Sequence, residues 1–230
     1  MGTEPRGHPL RFDPCSTITI AYNAAGGPWW GRAELDAAVS EIRSATGLNL
    51  RVVATTEPVA FGRPLVDLAR YGATWAPILV GYSSPDLISA LAGGVAGLGG
   101  PSSSWGPDGR ISVSGIVVLD GPQAAGLPTG WGNGATLVKL MAHELGHVLG
   151  LNHVSDTAQL MNPVIPTRAG GYGPGDRAGL SYLGAGQPCR RLPALPIAAE
   201  VGAASVVDPT APPELAPDGL PIVVELLSTG

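Results

Sequence analysis

STITIAY (16–22) alternates, with Ile18, Ile20 and Tyr22 sharing one face, and this period of two predicts a half-buried strand. The turn-rich NAAGGP follows. Leu35, Ala38, Val39, Ile42 and Ala45 then recur at helical spacing, and Gly47 supplies a natural helix stop. LNLRVVAT (48–55) predicts a second strand, and the apolar run APILVGYS (76–83) a third of the buried type. Residues 86–110 contain GGVAGLGG and PSSSWGPDG and read as loop, with VAGL as a short edge strand. RISVSGIVVLD (110–120) has a strong strand pattern. An apolar helix is predicted over 134–150, and GPGDRAGLSYLG suggests a short last helix.

Strands and helices in this order predict an α/β architecture, a mostly parallel sheet covered by helices. The length of 230 residues suits one sizeable domain with an extension. We divide the chain into an N-terminal extension (1–14), a folded domain (15–190) and a C-terminal extension (191–230). The last segment is rich in Pro and Ala and has no aromatic residue, and its PIVVELL is a candidate added strand.

Hydrophobic residues make up 44% and charged residues 13%, which excludes a disordered chain. The formal charge is −5 and Lys139 is the only lysine, so there is no basic footprint for nucleic acid and no polybasic membrane patch. No apolar run reaches the roughly eighteen residues of a membrane span. The opening MGTEPRGHPLRFDP lacks the apolar core of a secretory leader, so export would require a leader absent from this chain. Cys15 and Cys189 lie near the two ends of the folded domain. A bridge between them suits an oxidising compartment and is worth up to about 5 kcal/mol by loop entropy. Two unrelated buried thiols are the alternative.

The chemistry concentrates in HELGHVLGLNH (143–153), which holds three of the four histidines; only His8 lies elsewhere. Helix positions four apart differ by about 40° in rotation, so His143 and His147 can face a single ion. Glu144 lies about 100° from His143, beside that ion. Gly150 can adopt a left-handed conformation and turn the chain, bringing His153 round as a third ligand. Three neutral imidazoles leave one position of a tetrahedral zinc open, as catalytic sites require. Read instead as plain core, the same histidines would leave buried polar rings to satisfy.

HELGHVLGLNH with LMNP at 160–163 resembles the metzincin signature, HExxHxxGxxH followed by a Met-turn. Met161 lies eight residues after His153, a spacing similar to the matrixin branch, the matrix metalloproteinase family. APILVGYS, GVAGLGG and GIVVLDG fall where that family has its third strand, its antiparallel substrate-binding edge strand and its last strand. DRAGLSYLG resembles its closing helix. The resemblance implies an α/β (α+β) domain: a twisted, mostly parallel five-stranded sheet with an antiparallel edge strand, an active-site helix and a C-terminal helix.

It further implies one catalytic Zn2+ on His143, His147 and His153. Peptide bonds would be hydrolysed by metal-activated water with Glu144 as general base. Met161 would floor the site, Gly94, Val95, Ala96, Gly97 and Leu98 would line the substrate, and the segment from Pro163 to Tyr172 would wall a pocket, with Val164 and Ile165 making it apolar. Related branches place a Tyr ligand two residues after the Met; here that position is Pro163. The second, structural zinc of vertebrate matrixins needs further His, and only His8 remains. Structural Ca2+ stays open, since no clear acidic loop marks it. Asp156 reads as a turn carboxylate, and Asp176 as a cap for the last helix or a partner of the Met-turn backbone. Cys15 runs directly into the first strand, so a disulfide is preferred to a zinc-blocking thiolate.

The expectation is a secreted, monomeric zinc endopeptidase acting on protein or peptide substrates. Two alternatives stay open: a catalytically silent zinc-binding interaction module of the same fold, and a protease kept latent by its C-terminal extension.

Overall fold

The computed structural model describes residues 9–196. Five strands, β1 (Ile18–Tyr22), β2 (Leu50–Ala54), β3 (Ile78–Ser83), β4 (Gly97–Gly106) and β5 (Gly109–Asp120), form one sheet in the order β2-β1-β3-β5-β4. All neighbours are parallel except β4, which runs antiparallel to β5 at the edge. The helices are α1 (Gly31–Thr46), α2 (Leu68–Tyr71), α3 (Gly121–Gly126), α4 (Leu137–Leu149) and α5 (Pro174–Leu183).

The stripe read from the sequence covers α1: Leu35, Ala38, Val39 and Ile42 are fully buried. Gly47 ends the helix at φ 69°, its N–H bonding Arg43 O. α4 is buried at every position, as an all-round apolar helix must be, and packs between α1 and the β4–β5 hairpin. The main core therefore lies on the helical face of the sheet. A smaller cluster of Leu91, Val95, Leu98 and Val118 covers the opposite face.

The edge strand expected within 86–110 is present but starts at Gly97 and is longer than VAGL. β4 runs ten residues through PSSSW, with an irregularity between Ser102 and Ser103. Gly and Ser have low strand propensity, so the sequence hides this; continuous pairing with β5 outweighs propensity. The short helices α2 and α3 also lack a periodic signal, being four and six residues long. Asp67 and Asp120 start them by accepting backbone N–H groups.

Cys15 and Cys189 are bridged. Asp13 supports the join, with Oδ1 accepting from Arg190 N (2.9 Å) and from Cys15 N (3.2 Å). Cys15→Ser/Cys189→Ser is expected to lose about 2–5 kcal/mol of stability, less than the full entropic figure where the Asp13 bonds persist. Thermal melts of both proteins check this, and equal midpoints would show the bridge to be energetically idle. Beyond it, Arg191 N bonds Asp108 Oδ2 (2.9 Å) and Trp75 Nε1 donates to Pro193 O (3.3 Å), so residues 191–193 follow the hairpin tip. His8 and PIVVELL lie outside the described residues.

Candidate metal centre

His143 and His147 project from α4, and Gly150 ends that helix at φ 112°. A Cβ there would stand 2.6 Å from Leu10 O, so both conformation and space favour glycine. The chain reverses, Val154 N bonds Met161 O (3.0 Å) and Asn162 Nδ2 bonds Val154 O (3.0 Å). That closed loop returns His153 toward the helix and carries Met161 beneath it.

The three Nε2 atoms meet: His143–His147 is 2.9 Å, and His153 is 3.1 Å from each. The outer nitrogens of two of the rings fix the tautomer. His143 Nδ1 donates to Leu160 O (2.7 Å) and His147 Nδ1 donates to Leu151 O (2.8 Å), because a carbonyl only accepts. Burial holds His143 down to about 3, and holds His147 and His153 below the usual imidazole range. Neutral rings with Nδ1–H present Nε2 lone pairs, so the 2.9 Å His143–His147 approach contains no donor. Such a convergence suits a cation. Ligand nitrogens at tetrahedral angles on zinc stand about 3.3 Å apart, close to the spacing here. The donor set fits zinc, and the two carbonyls are the outer-shell partners that orient its ligands.

Glu144 is fully buried, and neither carboxylate oxygen has a hydrogen-bond partner among the described residues. Burial pushes its proton affinity well above the ordinary carboxylate value. Its side chain lies against β4: a Cβ built on Gly97 would stand 2.9 Å from Oε1, and one on Gly99 2.8 Å from Oε2.

Met161 is buried under α4, where a Cβ on Gly146 would lie 2.6 Å from its Sδ. The glycine between His143 and His147 thus makes room for the methionine. Of the residues expected along the substrate, Gly97 and Leu98 lie in β4. Ala96 leads into it, and Gly94 and Val95 precede it, with Gly94 in a positive-φ bend. Pro163 and Val164 are half-buried, whereas Ile165 belongs to the main core. Asp156 is a turn carboxylate, accepting from Ala158 N and Gln159 Nε2 at 2.9 Å each. Asp176 does both things considered for it: Oδ2 accepts from Gly173 N (3.0 Å) at the α5 entry and from Leu160 N (2.6 Å) in the Met-turn.

Three supports escape sequence reasoning. Lys139, four residues before His143 and fully buried, donates to Gly134 O (2.7 Å), Arg168 O (2.7 Å) and Pro166 O (3.3 Å). Tyr172 donates to Ala142 O (2.5 Å). Gln159 Oε1 accepts from Gly175 N (2.9 Å) and Asp176 N (3.1 Å) at the start of α5. Together they hold the 158–176 segment against α4. A lone lysine in an apolar helix was the one available signal.

The family profile described as Matrixin matches residues 21–182, which run from the end of β1 through β2 to β5, α4 and the Met-turn. No curated protein matches the chain.

Proposed function

This chain belongs to the matrixin family, and from that premise we propose that it is a zinc-dependent endopeptidase acting on extended peptides. The observation that carries the reading is the convergence of three neutral imidazole Nε2 atoms beside the unpartnered carboxylate of Glu144. His143, His147 and His153 would hold the ion. Bound there, zinc supplies Lewis acidity and lowers the pKa of a coordinated water to about 7.

The chain's own residues do the rest. Glu144 accepts the proton of the attacking water on a carboxylate oxygen and delivers it to the leaving amine. Its dry surroundings raise its proton affinity toward that of the water, which eases transfer in both directions.

Peptide alignment falls to β4, which has no second strand neighbour among the described residues. Asp120 N bonds Ala96 O, and bonded pairs alternate along an antiparallel ladder. Leu98 therefore bonds inward to Val118, its register partner, while Gly97 and Gly99 turn N–H and C=O toward the open edge. A substrate paired there gains backbone hydrogen bonds that ignore side-chain identity. Pro163 and Val164 are assigned to the wall of the pocket beyond the scissile bond, and Met161 to the floor of the metal site.

The disulfide is compatible with an oxidising compartment, and we assign the protein to the extracellular space. Turnover of a fluorogenic peptide should vanish on chelation and return with added zinc. Zinc-loaded protein without turnover would instead favour the silent binding module, and turnover indifferent to chelation would remove the metal from the mechanism.

A further inference from the structure

β4 brings two glycines onto the helix that carries the proposed base, and only one of them also meets its backbone. A Cβ on Gly97 would lie 2.9 Å from Glu144 Oε1, 3.0 Å from Cγ and 3.1 Å from Cδ, all side-chain atoms. One on Gly99 would lie 2.4 Å from the Glu144 backbone O and 2.9 Å from its C, besides 2.8 Å from Oε2. Gly100, which points elsewhere, would meet nothing within 4 Å. None of these three has a positive φ, so no backbone requirement explains a glycine at any of them.

Space explains the first two. Gly97 and Gly99 pair with Leu119 and Val117, buried residues of the helical face, so their missing Cβ atoms would point at α4. Removing both lets the strand backbone close directly onto Glu144. Leu98 alternates to the opposite face and packs with Leu91, Val95 and Val118.

We infer that Gly97 and Gly99 are positioning residues, forming a Cβ-free cradle that fixes the Glu144 carboxylate against the same strand whose edge aligns the peptide. Gly97 sets the side chain and Gly99 sets the helix-to-strand distance. Base and substrate then share one reference, because Gly97 and Gly99 also turn their backbone polar groups to the open edge. This rests on the reading of Glu144 as proton acceptor for its catalytic consequence, but not for the contact itself.

The two contacts separate in a thermodynamic cycle. Gly97→Ala obliges only the flexible end of Glu144 to move, so it should lower kcat by about 10²-fold, the scale of a misplaced catalytic group, with KM within about twofold and zinc content unchanged. It should lower the melting temperature by about 2–4 °C, and Glu144→Ala should relieve that loss by removing the colliding carboxylate. Gly99→Ala meets backbone as well as Oε2, so the larger part of its loss should persist in the Glu144→Ala background. Gly100→Ala should lower the melting temperature in neither.

A Gly97→Ala loss undiminished by Glu144→Ala would overturn the cradle, as would wild-type stability in Gly97→Ala. Wild-type kcat in Gly97→Ala, with an active parent, would overturn its positioning role. An inactive zinc-loaded parent would count against the endopeptidase reading alone, since the melting cycle decides the contact without turnover.

Discussion

Glu144→Ala is expected to keep about one zinc per chain and to lose peptide turnover by at least about 10²–10⁴-fold, the usual value of a positioned general base. The loss should tend to the upper end because, in the proposed role, Glu144 both accepts the proton and orients the water it comes from. Stability should move the other way or hold. The wild-type carboxylate is buried without a protein partner, and removing such a group relieves a desolvation cost. The variant should therefore melt no lower than the parent while doing almost no chemistry. Metal analysis, peptide kinetics and a melt on one preparation check all three. Unchanged turnover would place any activity elsewhere in the chain.

His153→Ala is expected to weaken zinc binding by more than the roughly 10–100-fold typical of losing an outer-shell partner. Its ring is half-buried on a loop, so the fold should survive. His143→Ala and His147→Ala should lose zinc equally and also stability, since each leaves a cavity in α4 and removes the donor to Leu160 O or Leu151 O. Competition against a chelator of known affinity, alongside melts of the metal-free proteins, separates these effects. Full zinc retention in His153→Ala would remove the three-histidine site.

Much of this was legible in one dimension, and the reasons are local. The stripe from Leu35 to Ala45 is a helix because its apolar spacing matches the helical period, and Gly47 and Gly150 stop their helices because a left-handed residue costs glycine little. His143 and His147 converge because four residues are about one turn. The alternating and apolar runs marked β1, β2, β3 and β5, whose strands need little help from context. Cys15 and Cys189 were the only two cysteines available to pair.

β4 carries a weaker code, and its half from Pro101 to Gly106 carries none. Its glycines and serines disfavour a strand locally, and only pairing with β5, together with an edge position, makes them one. The same holds for the atoms that give the site its character. That His143 and His147 are neutral follows from burial, and that their Nδ1 carries the proton follows from two leucine carbonyls, one of them seventeen residues away. Lys139 can be buried because three carbonyls from loops on either side accept its protons. The charge of Glu144 is costly because Gly97 and Gly99 lie against it. Sequence thus determined which residues make up the candidate site, through helical period, glycine conformation and ligand type. Tertiary structure alone decided their protonation and exact aim, because desolvation and close packing depend on atoms brought together from distant parts of the chain.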